Sequence, residues 1–163
     1  MDKAEAIHSL FYKFERPPFK AKNRFIRSAT WLGGADDKTG ELSPAEIKRH
    51  SEIAAGGAGT LITGLAYISN EGKSFNREWG LHSDERINDV AMLSEEVHKF
   101  DSRLIVQLCH SGGQRDASLA EGTVSFSPSG GIHPMRDFGT CPLSSHDIKK
   151  VIADFGAAAL RAK

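Results

Sequence analysis

A threefold alternation of apolar strands and amphipathic helices runs through this 163-residue chain and limits the folds that it can adopt. Short apolar runs predict strands, and each is followed by a segment whose apolar residues have helical spacing. The predicted strands cover residues 24–29, 59–64 and 103–108, and the predicted helices cover residues 44–55, 84–99 and 145–162. This α/β alternation is typical of a parallel sheet covered by helices, with any functional site at the carboxyl ends of the strands.

The charge balance and the apolar runs exclude several classes of protein. The 21 basic residues equal the 21 acidic residues, so no electrostatic surface for nucleic acid or an anionic membrane is indicated. The apolar runs are too short to cross a bilayer, and no signal-peptide pattern opens the chain. Cys109, Cys141 and the histidines lack metal-ligand spacing. We expect a reduced, cytoplasmic protein that binds no metal, nucleic acid or membrane.

Capping signals predict where the helices begin and end, and the chain after its first 20 residues is interpreted as one domain. Ser43 begins a capping box with proline at the first helical position, glycines follow residue 55, and Ser144 caps the third helix. Five residues of the third helix are predicted to form its buried face: Ile148, Val151, Ile152, Phe155 and Ala159. Residues 1–20 are interpreted as a lead-in whose helix is stopped by Pro17 and Pro18. Residues 21–163 then form the domain.

One connection is unusually long. Residues 110–143 separate the third strand from its helix, and a loop of this length within a domain is usually functional or disordered. We predict an ordered loop because it contains four apolar residues that can anchor it: Phe126, Ile132, Met135 and Phe138.

Gln107 is the most informative polar residue of the third strand. A glutamine buried in an apolar strand needs a hydrogen-bond partner, and its amide suits the donor–acceptor edge of a pyrimidine-like ring. The alternative is a core glutamine satisfied by the backbone. Cys109 is interpreted as a small packing residue, and for His110 a structural role is favoured over that of a base.

The first two strands end on small residues. Ser28, Ala29 and Thr30 would let a flat ligand approach the backbone, with Trp31 covering it; alternatively, Trp31 is a core anchor before a glycine turn. The second strand finishes on Gly64. The glycines at positions 56–59 precede a strand, whereas phosphate cradles follow one, so we interpret them as the end of a helix.

Four stretches, taken in order, resemble the old yellow enzyme family of FMN-dependent NAD(P)H:flavin oxidoreductases. Residues 22–30 resemble its first barrel strand, residues 54–64 its second, and Gln107-Leu108-Cys109-His110-Ser111-Gly112 is similar to its third. Residues 127–129, then Leu143 with Asp147-Ile148 and residues 155–162, resemble the approach to its fourth strand. The resemblance covers nearly the whole chain after residue 18.

The resemblance implies a (β/α)8 TIM barrel, of which this chain covers the first three units and FMN occupies the carboxyl ends of the strands. It implies that Ser28, Ala29 and Thr30 lie along the flavin and that Gln107 binds its pyrimidine edge. Gly64 would make room for the ring, and Trp31 would lie near its reactive nitrogen and tune it. Two departures are Trp31, where threonine or cysteine is common, and Gly113, where many members have arginine.

The implied reaction takes hydride from NADH or NADPH and reduces the activated C=C bond of a small α,β-unsaturated substrate. A complete barrel needs about 250 residues, and the family's substrate-polarising pair and phosphate loops follow later, so no catalytic residue is expected in this chain. We therefore expect a truncated chain of little activity that self-associates or needs a missing C-terminal segment. The alternatives are a non-catalytic half-barrel that packs with another chain and a barrel of unrelated lyase chemistry.

Overall fold

A parallel sheet covered on one face by helices forms the centre of the structure, a computed structural model that describes residues 2–120, 124–132 and 138–163. In chain order the elements are α1 Lys3–Ser9, β1 Phe14–Arg16, β2 Phe19–Ala21, β3 Ile26–Arg27, α2 Pro44–Ala55, β4 Thr60–Tyr67, β5 Trp79–Gly80, α3 Ile87–His98, β6 Arg103–Cys109, α4 Ala117–Ala120, β7 Phe126–Ser127, β8 Gly131–Ile132, β9 Gly139–Pro142 and α5 Ser145–Arg161. The predicted α/β class is confirmed.

Strand β4 is the centre of the sheet. It pairs in parallel with β3 and β5 along one side and with β6 along the other, so β3, β4 and β6 are neighbours in chain order and β5 lies on the β3 side. Two predicted strand bounds were wrong. The ladder at β3 covers only residues 26–27, and β4 continues beyond Gly64 to Tyr67 because β5 and β6 both pair with its last residues.

The three predicted helices form where their caps lie. The Ser43 hydroxyl accepts the Glu46 N–H at 3.2 Å, and α2 ends before Gly57, whose φ of +101° requires a residue without a side chain. Ser144 and Asp147 form the capping box of α5. Residues 84–86 form a 3₁₀ turn, so the second predicted helix becomes α-helical only at Ile87.

The core lies between the sheet and the helices. Its members include Leu61 and Ala66 of β4 and Leu93 and Val97 of α3, all of which are buried. Alternate residues of β6 follow the period of a strand: Leu104, Val106 and Leu108 pack toward this core, and Arg103, Ile105 and Gln107 are exposed. One face of the sheet is therefore covered and the other is open.

The N-terminal segment is a helix followed by a hairpin. Helix α1 ends at Ser9, before the prolines that were expected to stop it, and Pro17–Pro18 instead form the turn between β1 and β2. The proposed domain boundary after residue 20 stays a prediction, and it falls inside β2.

The long connection between β6 and α5 contains ordered elements in its described parts. Strand β9 pairs with both β7 and β8, and α4 precedes them. Phe126 and Phe138 are half-buried, as anchors should be. Ile132 is 77% exposed, so its assignment as an anchor was wrong. Met135 lies outside the described residues.

The predicted buried face of α5 was wrong except at Val151, which is half-buried. Ile148 and Phe155 are exposed and Ile152 is 65% exposed, whereas Ala158 is the fully buried residue of this helix. The helical spacing of the apolar residues is real, but Ile148, Ile152 and Ala159 are exposed, and Val151 and Phe155 only border a groove that Phe126 and Ser127 of β7 also line.

Candidate functional site

A β-bulge in the second half of β4 sets the geometry of the strand ends. Ile62 pairs with Ile105 and Leu65 pairs with Gln107, so two residues of β4, Thr63 and Gly64, lie opposite one residue of β6. An unbroken register would put Gly64 beside Gln107. The bulge puts Leu65 there instead, on the open face of the sheet.

Gly64 faces the segment that follows β3. A Cβ atom at this position would lie 2.8 Å from the Thr30 carbonyl oxygen and 3.0 Å from the Trp31 Cα. The space beside Gly64 is thus filled by the chain's own backbone. Its glycine lets residues 30–31 lie directly against β4.

Gln107 is exposed, so the expectation of a buried glutamine was wrong. Its backbone N–H donates to the Thr63 hydroxyl at 3.0 Å, and that hydroxyl donates to the Gly64 carbonyl at 2.8 Å. Thr63 therefore supplies the ladder partner that the bulge removes. The Gln107 side-chain amide has no hydrogen-bond partner among the described residues and is available to a ligand.

The segment that follows β3 presents free backbone at the same end of the sheet. Ser28 and Thr30 are exposed and Ala29 is half-buried. In the part of the chain that the structure describes, the N–H groups of residues 29–31 make no hydrogen bond. Trp31 is 45% exposed, which contradicts the core-anchor alternative, and its ring packs on Phe75 with 5.0 Å between centroids.

The six predicted site residues therefore lie along one strip across neighbouring strands. We call this set the cofactor strip, after the role that the resemblance implies for it; its members are Ser28, Ala29, Thr30, Trp31, Gly64 and Gln107. Sequence reasoning missed Leu65 and Phe75. The register shift that selects Leu65 has no local sequence signal, and Phe75 lies in a turn far from Trp31 along the chain.

The contacts of Cys109 and His110 fit the packing and structural roles expected of them. The Cys109 Sγ lies 3.7 Å from the Ser74 hydroxyl, and burial raises the pKa of this thiol, which keeps it protonated. The His110 Nδ1 accepts the Gly112 N–H at 3.2 Å, and burial lowers the pKa of the ring. A Cβ at Gly72 would lie 2.7 Å from that ring, so His110 is closely packed.

Gly113 packs against the small sheet of the long connection. A Cβ at this position would lie 3.1 Å from Thr140 Cγ2 in β9. An arginine side chain here would require Thr140 to move. The local packing is therefore consistent with glycine, and not the family's arginine, at position 113.

Neither a metal cluster nor a membrane-spanning helix is found within residues 2–120, 124–132 and 138–163.

The cofactor strip suits a flat heteroaromatic ring. The Gln107 amide offers N–H donors and a carbonyl acceptor side by side in one plane, and the N–H groups of residues 29–31 add further donors. The Trp31 and Phe75 rings provide an aromatic surface beside them. Gly57 lies at the opposite end of the sheet as a helix cap, so it offers no phosphate cradle here.

Solved structures share this fold. The old yellow enzyme homologue from Zymomonas mobilis superposes with a TM-score of 0.82 at 23% identity, over 94% of this chain and 46% of that chain. Old yellow enzyme from Pichia sp. AKU4542 gives a TM-score of 0.84 at 19% identity, over 94% of this chain and 42% of that one. The fold is therefore part of an old yellow enzyme TIM barrel.

Curated relatives agree. The chain is 30% identical to an NADPH dehydrogenase of Bacillus subtilis over 87% of its own length and 41% of the relative's. It is 28% identical to an NADPH dehydrogenase of Listeria welshimeri over 96% of its length and 45% of the relative's. The chain thus spans less than half the length of these relatives. The sequence profile of one family matches residues 9–163. This chain belongs to the NADH:flavin oxidoreductase / NADH oxidase family, whose members use FMN and NAD(P)H.

Proposed function

We propose that this chain forms one wall of the flavin site of an old yellow enzyme-type oxidoreductase, which reduces activated C=C bonds of small α,β-unsaturated compounds. The observation that carries the proposal is the cofactor strip, in which an exposed amide and unpaired backbone donors meet at the carboxyl end of a parallel sheet. FMN, when bound, supplies the hydride transfer from NADH or NADPH to the substrate.

Gln107 is the residue proposed to orient the ring. Its amide is exposed and without a partner in the described chain, while its backbone is held by Thr63. A planar donor–acceptor pair on a fixed strand matches the donor–acceptor edge of a pyrimidine ring. We assign it the hydrogen bonds to that edge.

The segment after β3 is proposed to lie along the ring. Ser28, Ala29 and Thr30 offer backbone groups, and Gly64 holds this segment close to β4. Trp31, whose ring contacts that of Phe75 in a tilted arrangement, places an indole at the end of the strip. There it excludes water from the ring and sets the polarity near it.

Leu65 is proposed as an additional ring contact. It pairs with Gln107 on the open face, a position that an unbroken register would give to Gly64. The role of Gly64 accordingly changes from making room for the ring to making room for residues 30–31.

No catalytic residue is proposed within this chain. The strip binds and orients, and none of its members is an acid placed to protonate a substrate carbon. The compensating proton is then supplied by a group outside the 163 residues, and the chain alone should turn over little substrate.

The test is to purify the chain, add FMN, and record the visible spectrum and the consumption of NADH and NADPH with 2-cyclohexen-1-one. Bound flavin with little turnover is the expected result. Turnover at a rate typical of a complete enzyme would show that the proton donor lies in this chain. Failure to bind flavin would count against the proposed site.

A second candidate function is a non-catalytic half-barrel that packs with another chain. It is favoured by the open sheet face, where Ile105 is exposed, and by the exposed apolar face of α5. A chain without flavin that assembles when the C-terminal portion of a relative is added would support it. A dispersed, folded monomer would count against it.

Family membership removes the lyase alternative, and the cytoplasmic location stays a prediction.

A further inference from the structure

A buried carboxylate lies behind the Trp31–Phe75 contact. Glu78 is fully buried, and its Oε2 accepts the Ser74 N–H at 2.5 Å and the Phe75 N–H at 3.2 Å. Its Oε1 has no partner among the described residues. Burying a carboxylate is unfavourable unless its hydrogen bonds are made. An apolar side chain would fill this space at a lower free-energy cost, so packing alone does not explain a glutamate here.

The rest of this turn is held by other contacts. The Ser74 carbonyl accepts the Asp116 N–H at 2.7 Å, and the Arg77 carbonyl accepts the Ala35 N–H at 3.2 Å. Arg77 N–H also donates to Asp37, and the Arg77 backbone has a φ of +59°. Both ends of the turn are thus fixed to neighbouring segments.

Phe75 lies between these two ends, and its own N–H is bonded to Glu78 alone within the described chain. Its ring contacts Trp31 at 5.0 Å between centroids with an interplanar angle of 32°. The contact path therefore runs from the Glu78 carboxylate through the Phe75 backbone and ring to the indole.

We propose that Glu78 is a positioning residue, whose buried carboxylate fixes the Phe75 backbone so that the Phe75 ring holds the Trp31 indole in one orientation at the cofactor strip. The effect on a bound flavin rests on the proposed function. The positioning of the indole does not, and it is measurable on the chain without cofactor.

Two substitutions separate hydrogen bonding from packing. Glu78→Met keeps a side chain of similar length and removes the acceptor. Glu78→Gln keeps a side-chain carbonyl oxygen that can accept both N–H groups. The glutamine is neutral, and burial favours a neutral side chain here, because it raises the pKa of Glu78 although the two hydrogen bonds act in the opposite direction. Glu52→Gln, at an exposed ion pair with Arg49, is the matched surface control.

The experiment is ¹⁹F NMR of the full chain carrying 5-fluorotryptophan, with Trp31→Phe assigning the resonances of Trp31 and Trp79. Glu78→Met should shift and broaden the Trp31 resonance, and Glu78→Gln and Glu52→Gln should leave it unchanged. Phe75→Leu should reproduce the change, and the double variant Glu78→Met/Phe75→Leu should add nothing to it. A folded Glu78→Met variant with a wild-type Trp31 resonance would overturn the proposal.

Hydrogen exchange in the unmodified chain keeps the proposal testable if Glu78→Met does not fold. The Phe75 N–H should exchange at least about tenfold more slowly than the Asn76 N–H, which donates to no group in the described chain. Equal exchange rates would overturn the proposal.

The cofactor arm measures the FMN dissociation constant. Glu78→Met should raise the FMN dissociation constant about three- to tenfold, which corresponds to the free energy of one hydrogen bond. Glu78→Gln should leave the dissociation constant near the wild-type value. If wild-type chain binds no FMN, the proposed function fails while the ¹⁹F result still decides the positioning role. If FMN binds equally to Glu78→Met, the effect on the cofactor is refuted.

Discussion

At the residue scale, close backbone contact rather than side-chain size sets the geometry of the strip. Gly64 is the clearest case, because a Cβ there would overlap the Thr30 carbonyl and the Trp31 Cα. Gly64→Ala should lower the free energy of unfolding by about 1–3 kcal/mol, as overpacking of a filled site does. Urea denaturation measures this.

The matched control for that substitution is Gly156→Ala in α5. A Cβ at Gly156 meets nothing within 4 Å, and alanine is favoured over glycine inside a helix, so this variant should gain up to about 1 kcal/mol. Equal urea midpoints for Gly64→Ala and the wild type would show that residues 30–31 do not lie against β4.

Tyr67 makes a prediction about alkaline pH. Burial, with a further contribution from Glu78, raises the pKa of Tyr67 to about 12. Its pKa in the unfolded chain is about 10, so the unfolded state loses a proton that the folded state keeps. Stability should fall as pH rises from about 10 to about 12. Tyr67→Phe should show a shallower fall in urea titrations at stepped pH, and parallel curves for the two proteins would contradict the assignment.

At the scale of elements, the bulge in β4 depends on one hydroxyl. Thr63→Val removes the acceptor of the Gln107 N–H and should cost about 0.5–1.5 kcal/mol, the net contribution of a part-buried hydrogen bond. Thr63→Ser keeps the hydroxyl and should lose much less. Urea denaturation and exchange of the Gln107 amide proton check both variants. A Val variant as stable as the Ser variant would mean that Thr63 does not close the bulge.

The same elements show what could be predicted from the sequence. The caps of α2 and α5 are local signals, and both helices begin at the predicted residues. The shift that pairs Leu65 with Gln107 depends on hydrogen bonds between two strands, so the pattern of either strand alone predicts the wrong neighbour. The exposure of Gln107 likewise could not be predicted from its apolar neighbours in the sequence, because it depends on which face of the sheet the helices cover.

At the scale of the whole molecule, apolar surface is left open on α5 and on one face of the sheet. Ile152→Lys, on the exposed face, should change the free energy of unfolding by less than about 0.5 kcal/mol. It should also weaken any self-association. Ala158→Leu, at the buried contact of the same helix, should cost about 1–3 kcal/mol.

Sedimentation velocity over a range of concentrations measures the association, and urea denaturation measures the stability. A wild-type chain that stays monomeric at every concentration would show that these apolar faces do not drive assembly of the chain alone.

The proposed FMN site has one wall formed by Gln107 and residues 28–31. Its most direct test is a fluorescence titration of FMN against the wild type, Gln107→Leu and Ile105→Leu, the last being a control on the same open face of β6. We predict saturable binding that Gln107→Leu weakens about tenfold, as loss of a hydrogen-bonded amide should, and that Ile105→Leu leaves unchanged. Equal affinity of the wild type and Gln107→Leu, or no saturable binding at all, would show that these residues do not hold FMN.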